Sequence, residues 1–121
     1  INLGRVVEEL KFEEALPGRD ESAFAGAHVL AKGHDFMYGF LEYQHGQLKK
    51  VKNPSKLVIK RLATTERRSI NYRLKAIAHY ELMLDLQKKN PKIFTGYLTL
   101  NTGELEPSAI MKKIELLKAV K

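Results

Sequence analysis

Cysteine is absent from all 121 residues, which removes disulfides, thiolate metal sites and cysteine nucleophiles and fits a reducing compartment. Tryptophan is absent too, and proline occurs only at positions 17, 54, 91 and 107. No apolar run approaches the length needed to span a bilayer, and the first fourteen residues are too acidic for a secretory or transit peptide, so the chain reads as soluble and intracellular. It starts at Ile1 without an initiator Met, which points to a trimmed terminus or an excised piece. A Gly-rich phosphate loop, a Ser nucleophile elbow and a paired-carboxylate motif are all missing, so neither a conventional enzyme nor a cofactor is expected.

Acidic residues are scarce in the middle of the chain. Residues 47–92 carry thirteen Lys and Arg against three acids (Glu66, Glu81, Asp85), whereas residues 1–46 carry four bases against eight acids. Clustered bases release counterions from a phosphate backbone in a way that evenly mixed charges do not, so this segregation points to a polyanionic partner. At 121 residues and 44% hydrophobic, the chain has the material for one domain, 1–121, and is too short for two ordinary ones.

Turn and cap signals divide that domain. Apolar residues at helical spacing from Leu3 to Leu10 give a first helix over about 3–15, stopped by Pro17-Gly18. Asp20 or Ser22 caps an Ala-rich helix that Gly33 can end. Residues 36–51 read either as a helix or as a hairpin turning at His45-Gly46. The hairpin is preferred because Tyr43 would face Leu48, Glu42 would face Lys49 and Phe40 would face Val51. The stretch from Gly39 to Leu48 has a counterpart from Gly96 to Leu105, each followed by Pro-Ser (Pro54-Ser55, Pro107-Ser108) and each preceded by Ala-x-Ala-His. That shared order suggests an internal duplication, with half-repeats 20–63 and 66–121. Between the hairpins, Asn53-Pro54-Ser55 opens a helix that Thr64-Thr65 interrupts, and a longer helix from about 66 to 89 stops at Asn90-Pro91. The expected fold is α+β: about five helices with two short β-hairpins.

The segment from Val58 to Ile77 resembles the helix-turn-helix of DNA-binding regulators, and Arg68 to Ile77 looks like the recognition helix of PucR-type regulators. The resemblance implies that Arg67, Arg68, Ser69 and Asn71 face DNA while Ile70 and Leu74 pack inward. Lys60 stands where that motif has a small residue, and Thr64 where it has Gly. Two shorter likenesses lie alongside. Ala76 to Leu86 is similar to the second helix of a tetratricopeptide repeat, which would favour a protein-binding scaffold. Tyr38 to Tyr43 looks like the tail of the aromatic strand of RNA-recognition motifs. Exposed rings at Phe36, Tyr38, Phe40 and Tyr43 beside Lys49, Lys50 and Lys52 would make a stacking platform for single strands. Burial is worth about 1.5–3 kcal/mol per large side chain, so the competing expectation is that these rings fill the core.

His28, His34, His45 and His79 are the only histidines, and none shows the i, i+4 metal-ligand spacing with a supporting carboxylate. No catalytic or metal residue is assigned. Glu81 falls within an apolar stripe formed by Ile70, Leu74, Ile77 and Leu84, where burial would demand a partner. The expected function is non-enzymatic nucleic-acid binding, on duplex DNA, through Lys49, Lys50, Lys52, Lys56, Lys60 and Arg61 of the first basic stretch and Arg67, Arg68, Ser69, Asn71, Arg73 and Lys75 of the second. The rival expectations are a regulator whose basic face meets an acidic protein, and a small metal-dependent nuclease.

Overall fold

The structure is a computed structural model that describes residues 19–91, 93 and 105–120. Three helices run through them: α1 (Arg19–Lys49), α2 (Lys56–Lys89) and α3 (Pro107–Lys118). No strand occurs among the described residues, so the expected α+β fold with five helices and two hairpins gives way to an all-helical one. The expected helix over 3–15 and the hairpin turn at Gly103 lie outside the described residues.

The seam between α1 and α2 explains why residues 39–49 are helical. Phe24, Ala27, Ala31, His34, Tyr38, Leu41, His45 and Leu48 recur at alternating intervals of three and four, and every one of them is buried or half-buried. On α2 the matching row is Val58, Leu62, Thr65, Ser69, Tyr72, Ala76, Tyr80, Met83 and Gln87. A repeat near 3.5 residues keeps one stripe of each helix on its partner, as in coiled coils. A strand over 39–51 would break that stripe to gain a few cross-strand pairs. Neither Gly39 nor Gly46 is required by its surroundings, since a Cβ at either position would meet nothing within 4 Å. The helix likewise continues through Gly33, which is buried inside it. With the first hairpin gone, the correspondence that suggested duplicated half-repeats is not reproduced in residues 39–48.

α2 also passes through the expected break. Thr64 donates its hydroxyl to the Lys60 carbonyl at 3.0 Å, so its side chain is satisfied within the helix and neither it nor Thr65 starts a new one. The helix begins where local chemistry fixes it. Asn53 takes a left-handed φ of 52°, which Asn tolerates better than most residues. Ser55 then caps the helix by accepting the Val58 N–H at 3.3 Å. At the far end the Asn90 N–H still donates to Leu86 O at 2.9 Å, and Pro91 allows no further turn.

Polar contacts fix the antiparallel register. Ser69 donates to the Glu42 carboxylate, Tyr80 OH donates to Asp35 at 3.2 Å, and the rings of His34 and His79 stack with centroids 5.1 Å apart. α3 runs antiparallel to α2 and buries Ile110, Ile114 and Leu117. Gln87 Nε2 donates to Leu105 O at 2.7 Å before α3 begins, and Arg73 Nη1 donates to Leu117 O at 2.9 Å near its end. That carbonyl has no partner within its own helix, and a cation there also suits the helix dipole. Lys113 reaches Asp35 at 2.9 Å, so Asp35 of α1 contacts both other helices. Phe24, Ala27, Ala31, Ala76, Ile77, Tyr80, Met83 and Ile93 form one core with the apolar face of α3. This three-helix body occupies only one end of the α1–α2 pair.

Candidate nucleic-acid interface

Past the body, α1 and α2 continue as a two-helix arm. Of residues 39–72, only Leu41 and Ser69 are buried. The seventeen residues of α2 from Lys56 to Tyr72 reach about 25 Å beyond Arg73, whose guanidinium holds Leu117 O near the end of α3, at 1.5 Å per residue. Residues 39–75 hold ten bases and only two acids, Glu42 and Glu66. The whole chain is net +7, so this segment accounts for more than the entire excess and the rest is slightly acidic.

One flank of the arm is a groove of about 560 Å³ between the two helices. Tyr43, Gln44, Gln47 and Leu48 line it from α1, and Leu57, Lys60, Arg61, Thr64, Thr65 and Arg68 from α2. Arg61, Arg68 and Lys75 are seven residues apart, so helical periodicity puts them in one row about 10 Å from one to the next. Phe36, Phe40 and Tyr43 follow i, i+4, i+7 on α1 and form a second row. Through the Glu42–Ser69 contact Tyr43 lies level with Arg68, and antiparallel counting sets Phe36 level with Lys75. By the same periodicity the flank bearing Asp35, Arg73 and Glu81, which α3 covers, is the opposite one.

The candidate residues fall into separate groups. Lys60, Arg61 and Arg68 share the groove, with Lys75 in line. Lys49, Lys50, Lys52 and Lys56 are exposed around the tip, and Arg67 and Asn71 are exposed on the outer side of α2. Two candidates are engaged elsewhere. Ser69 is fully buried against Glu42 because it sits on the seam, and Arg73 is half-buried with its guanidinium on Leu117 O. Ile70 and Leu74, expected to pack inward, are exposed, since the seam runs through 69, 72 and 76. Glu81 is exposed as well and pairs with Lys118 at 3.4 Å, a contact worth about 0–1 kcal/mol. The expectation that the aromatic cluster fills the core fails for three rings: Phe36 is 70% exposed, Tyr43 66% and Phe40 47%. Only Tyr38 packs against the core.

His34 and His79 have structural surroundings. His34 Nδ1–H donates to Leu30 O and His79 Nδ1–H to Lys75 O, each at 2.7 Å, and Tyr72 lies 5.6 Å from the His34 ring. Burial holds the His34 imidazole below its ordinary value of 6.5, the charges of His79 and Lys75 push the same way, and the Leu30 hydrogen bond opposes them. A histidine whose folded pKa is depressed stays neutral while the unfolded chain takes up a proton. Its stabilising contribution is therefore complete above 6.5 and declines as pH falls below it towards the folded value. Urea unfolding of the wild type should show lower stability at pH 5.5 than at 7.5, and His34→Phe should flatten that difference. An equal slope in both proteins would assign the pH dependence to other groups.

Among the described residues no group of three or more His, Asp or Glu is placed to hold a metal ion, and no helix is long and apolar enough to cross a membrane. Comparisons with protein-family models, with curated proteins and with solved structures gave no match.

Proposed function

We propose that the chain is a non-enzymatic nucleic-acid-binding protein that grips the phosphate backbone with its two-helix arm. The observation that carries this reading is charge: ten bases against two acids over 39–75, on a chain whose remainder is slightly acidic. None of Lys60, Arg61, Arg67 and Arg68 is paired with an acid among the described residues, so their charge is available to a ligand. Each contact would displace condensed counterions, and that release supplies most of the affinity of backbone-directed binding. The tight turn of the helix-turn-helix resemblance has no counterpart in α2, so the proposal rests on the continuous basic arm and assigns no base sequence.

Fluorescence anisotropy over a salt series tests it. Affinity for a labelled nucleic acid should fall linearly on logarithmic axes, and the triple replacement of Lys60, Arg61 and Arg68 by Ala should flatten the slope by about 0.7–0.9 for each phosphate contact removed. Lys112→Ala, on the exposed face of α3, should leave slope and affinity unchanged. Absence of binding at low salt, binding indifferent to salt, or equal losses from arm and α3 variants would overturn the proposal.

A further inference from the structure

We infer that the ligand of the arm is a single strand, whose bases stack on the aromatic row of α1 while its phosphates follow the basic row of α2. This inference rests on the nucleic-acid reading above and goes further by naming the form of the ligand. A duplex hides the faces of its bases, so exposed rings add little to its capture, whereas a single strand presents a π-face at every nucleotide. The arm sets one such ring, Tyr43, beside cations and carries two more along the outer face of α1. Phe36, Phe40 and Tyr43 are all exposed, and Tyr43 shares the groove wall with Arg61 and Arg68.

Spacing points the same way. Helical rise separates Phe36 from Phe40 by about 6 Å and Phe40 from Tyr43 by about 4.5 Å along the axis, more than the roughly 3.4 Å between stacked nucleotides of one duplex strand. Bases must therefore splay apart to occupy consecutive rings, which only an unpaired strand permits. Gln44, Gln47 and Thr64 supply neutral donors and acceptors in the groove that Tyr43 shares with Arg61 and Arg68, suited to base edges of any identity. A second copy of the chain is the less suitable occupant of this apolar row, because two arms of this charge would repel each other across it.

Oligo(dT) and a duplex of equal length, compared at matched salt, provide the test. The wild type should bind oligo(dT) more tightly. Tyr43→Leu and Phe36→Leu keep apolar bulk at exposed positions but remove the ring, and each should weaken oligo(dT) binding by about tenfold while weakening duplex binding far less. The chain has no tryptophan, so Tyr43→Trp creates a sole reporter, and oligo(dT) should quench its emission saturably while the duplex does not. Equal or tighter duplex binding with no effect of Tyr43→Leu, alongside losses from Arg61→Ala and Arg68→Ala on both probes, would overturn the single-strand inference and leave backbone binding standing. Failure of the wild type to bind either probe would overturn both. Unquenched emission from a Tyr43→Trp variant that still binds oligo(dT), or a wild-type dimer that Tyr43→Leu dissociates, would place the strand elsewhere and overturn the inference alone.

Discussion

Glu66→Pro should destabilise the protein by about 3 kcal/mol or more, measured by urea unfolding followed by circular dichroism. Glu66 lies near the middle of the arm's portion of α2, exposed, with no side-chain role to lose. Proline there removes one i→i−4 hydrogen bond and pushes its ring against the preceding turn, so helix continuity is what the substitution probes. Had Thr65 capped a new helix, Glu66 would be its first residue, where proline is well accommodated. Lys56→Pro is the internal control, because Lys56 is the first residue of α2 and Ser55 before it is already extended at φ −70° and ψ 167°. Its cost should be far smaller. Comparable, small costs for both substitutions would mean that α2 does break at Thr64-Thr65.

The other large effect concerns the body. Phe24 has no exposed surface and lies in the core with Ala27, Ala31, Met83 and Ile114. Phe24→Ala should cost about 3–5 kcal/mol, from lost transfer energy together with the cavity its small neighbours cannot close. That is a large share of the roughly 5–15 kcal/mol that holds a typical domain together. Phe36→Ala, by contrast, removes the same ring from a position 70% exposed and should change stability by no more than about 0.5 kcal/mol. A cost at Phe36 approaching that at Phe24 would show that the aromatic row is covered rather than open.

The contrast between these two phenylalanines marks where the sequence is informative. Local signals carried well: the opening of a helix at Asn53-Pro54-Ser55 and the stop at Asn90-Pro91 each depend on a few adjacent residues, and each is present. Residues 39–49 misled because Gly39, Gly46 and a short polar-apolar alternation imitate a hairpin over about ten residues. What overrules them is a seven-residue repeat from Phe24 to Leu48, whose purpose emerges only once α2 lies against it. The site divided the same way. Segregated charge is a linear count, so the basic segment could be read directly. Whether Ser69 or Asn71 faces out depends on the phase of the seam, because the two stand about 200° apart around α2 and only one can lie against α1. The exposure of Phe36 and Tyr43 was the hardest to anticipate, since aromatic rings at helical spacing ordinarily mark a core.

The shortness of α3 has a consequence for how salt acts on this molecule. Ten like charges are carried by residues 39–75, of which only Leu41 and Ser69 are buried, so mutual repulsion works against the arm where burial is least able to resist it. Dissolved ions screen that repulsion, with a Debye length that falls from about 30 Å at 0.01 M to about 10 Å at 0.1 M. The same ions compete with a phosphate backbone for the same bases. Ionic strength therefore pulls in two directions, tightening the unliganded arm while loosening its hold on a polyanion, and a bound strand takes over from the salt the task of neutralising the arm.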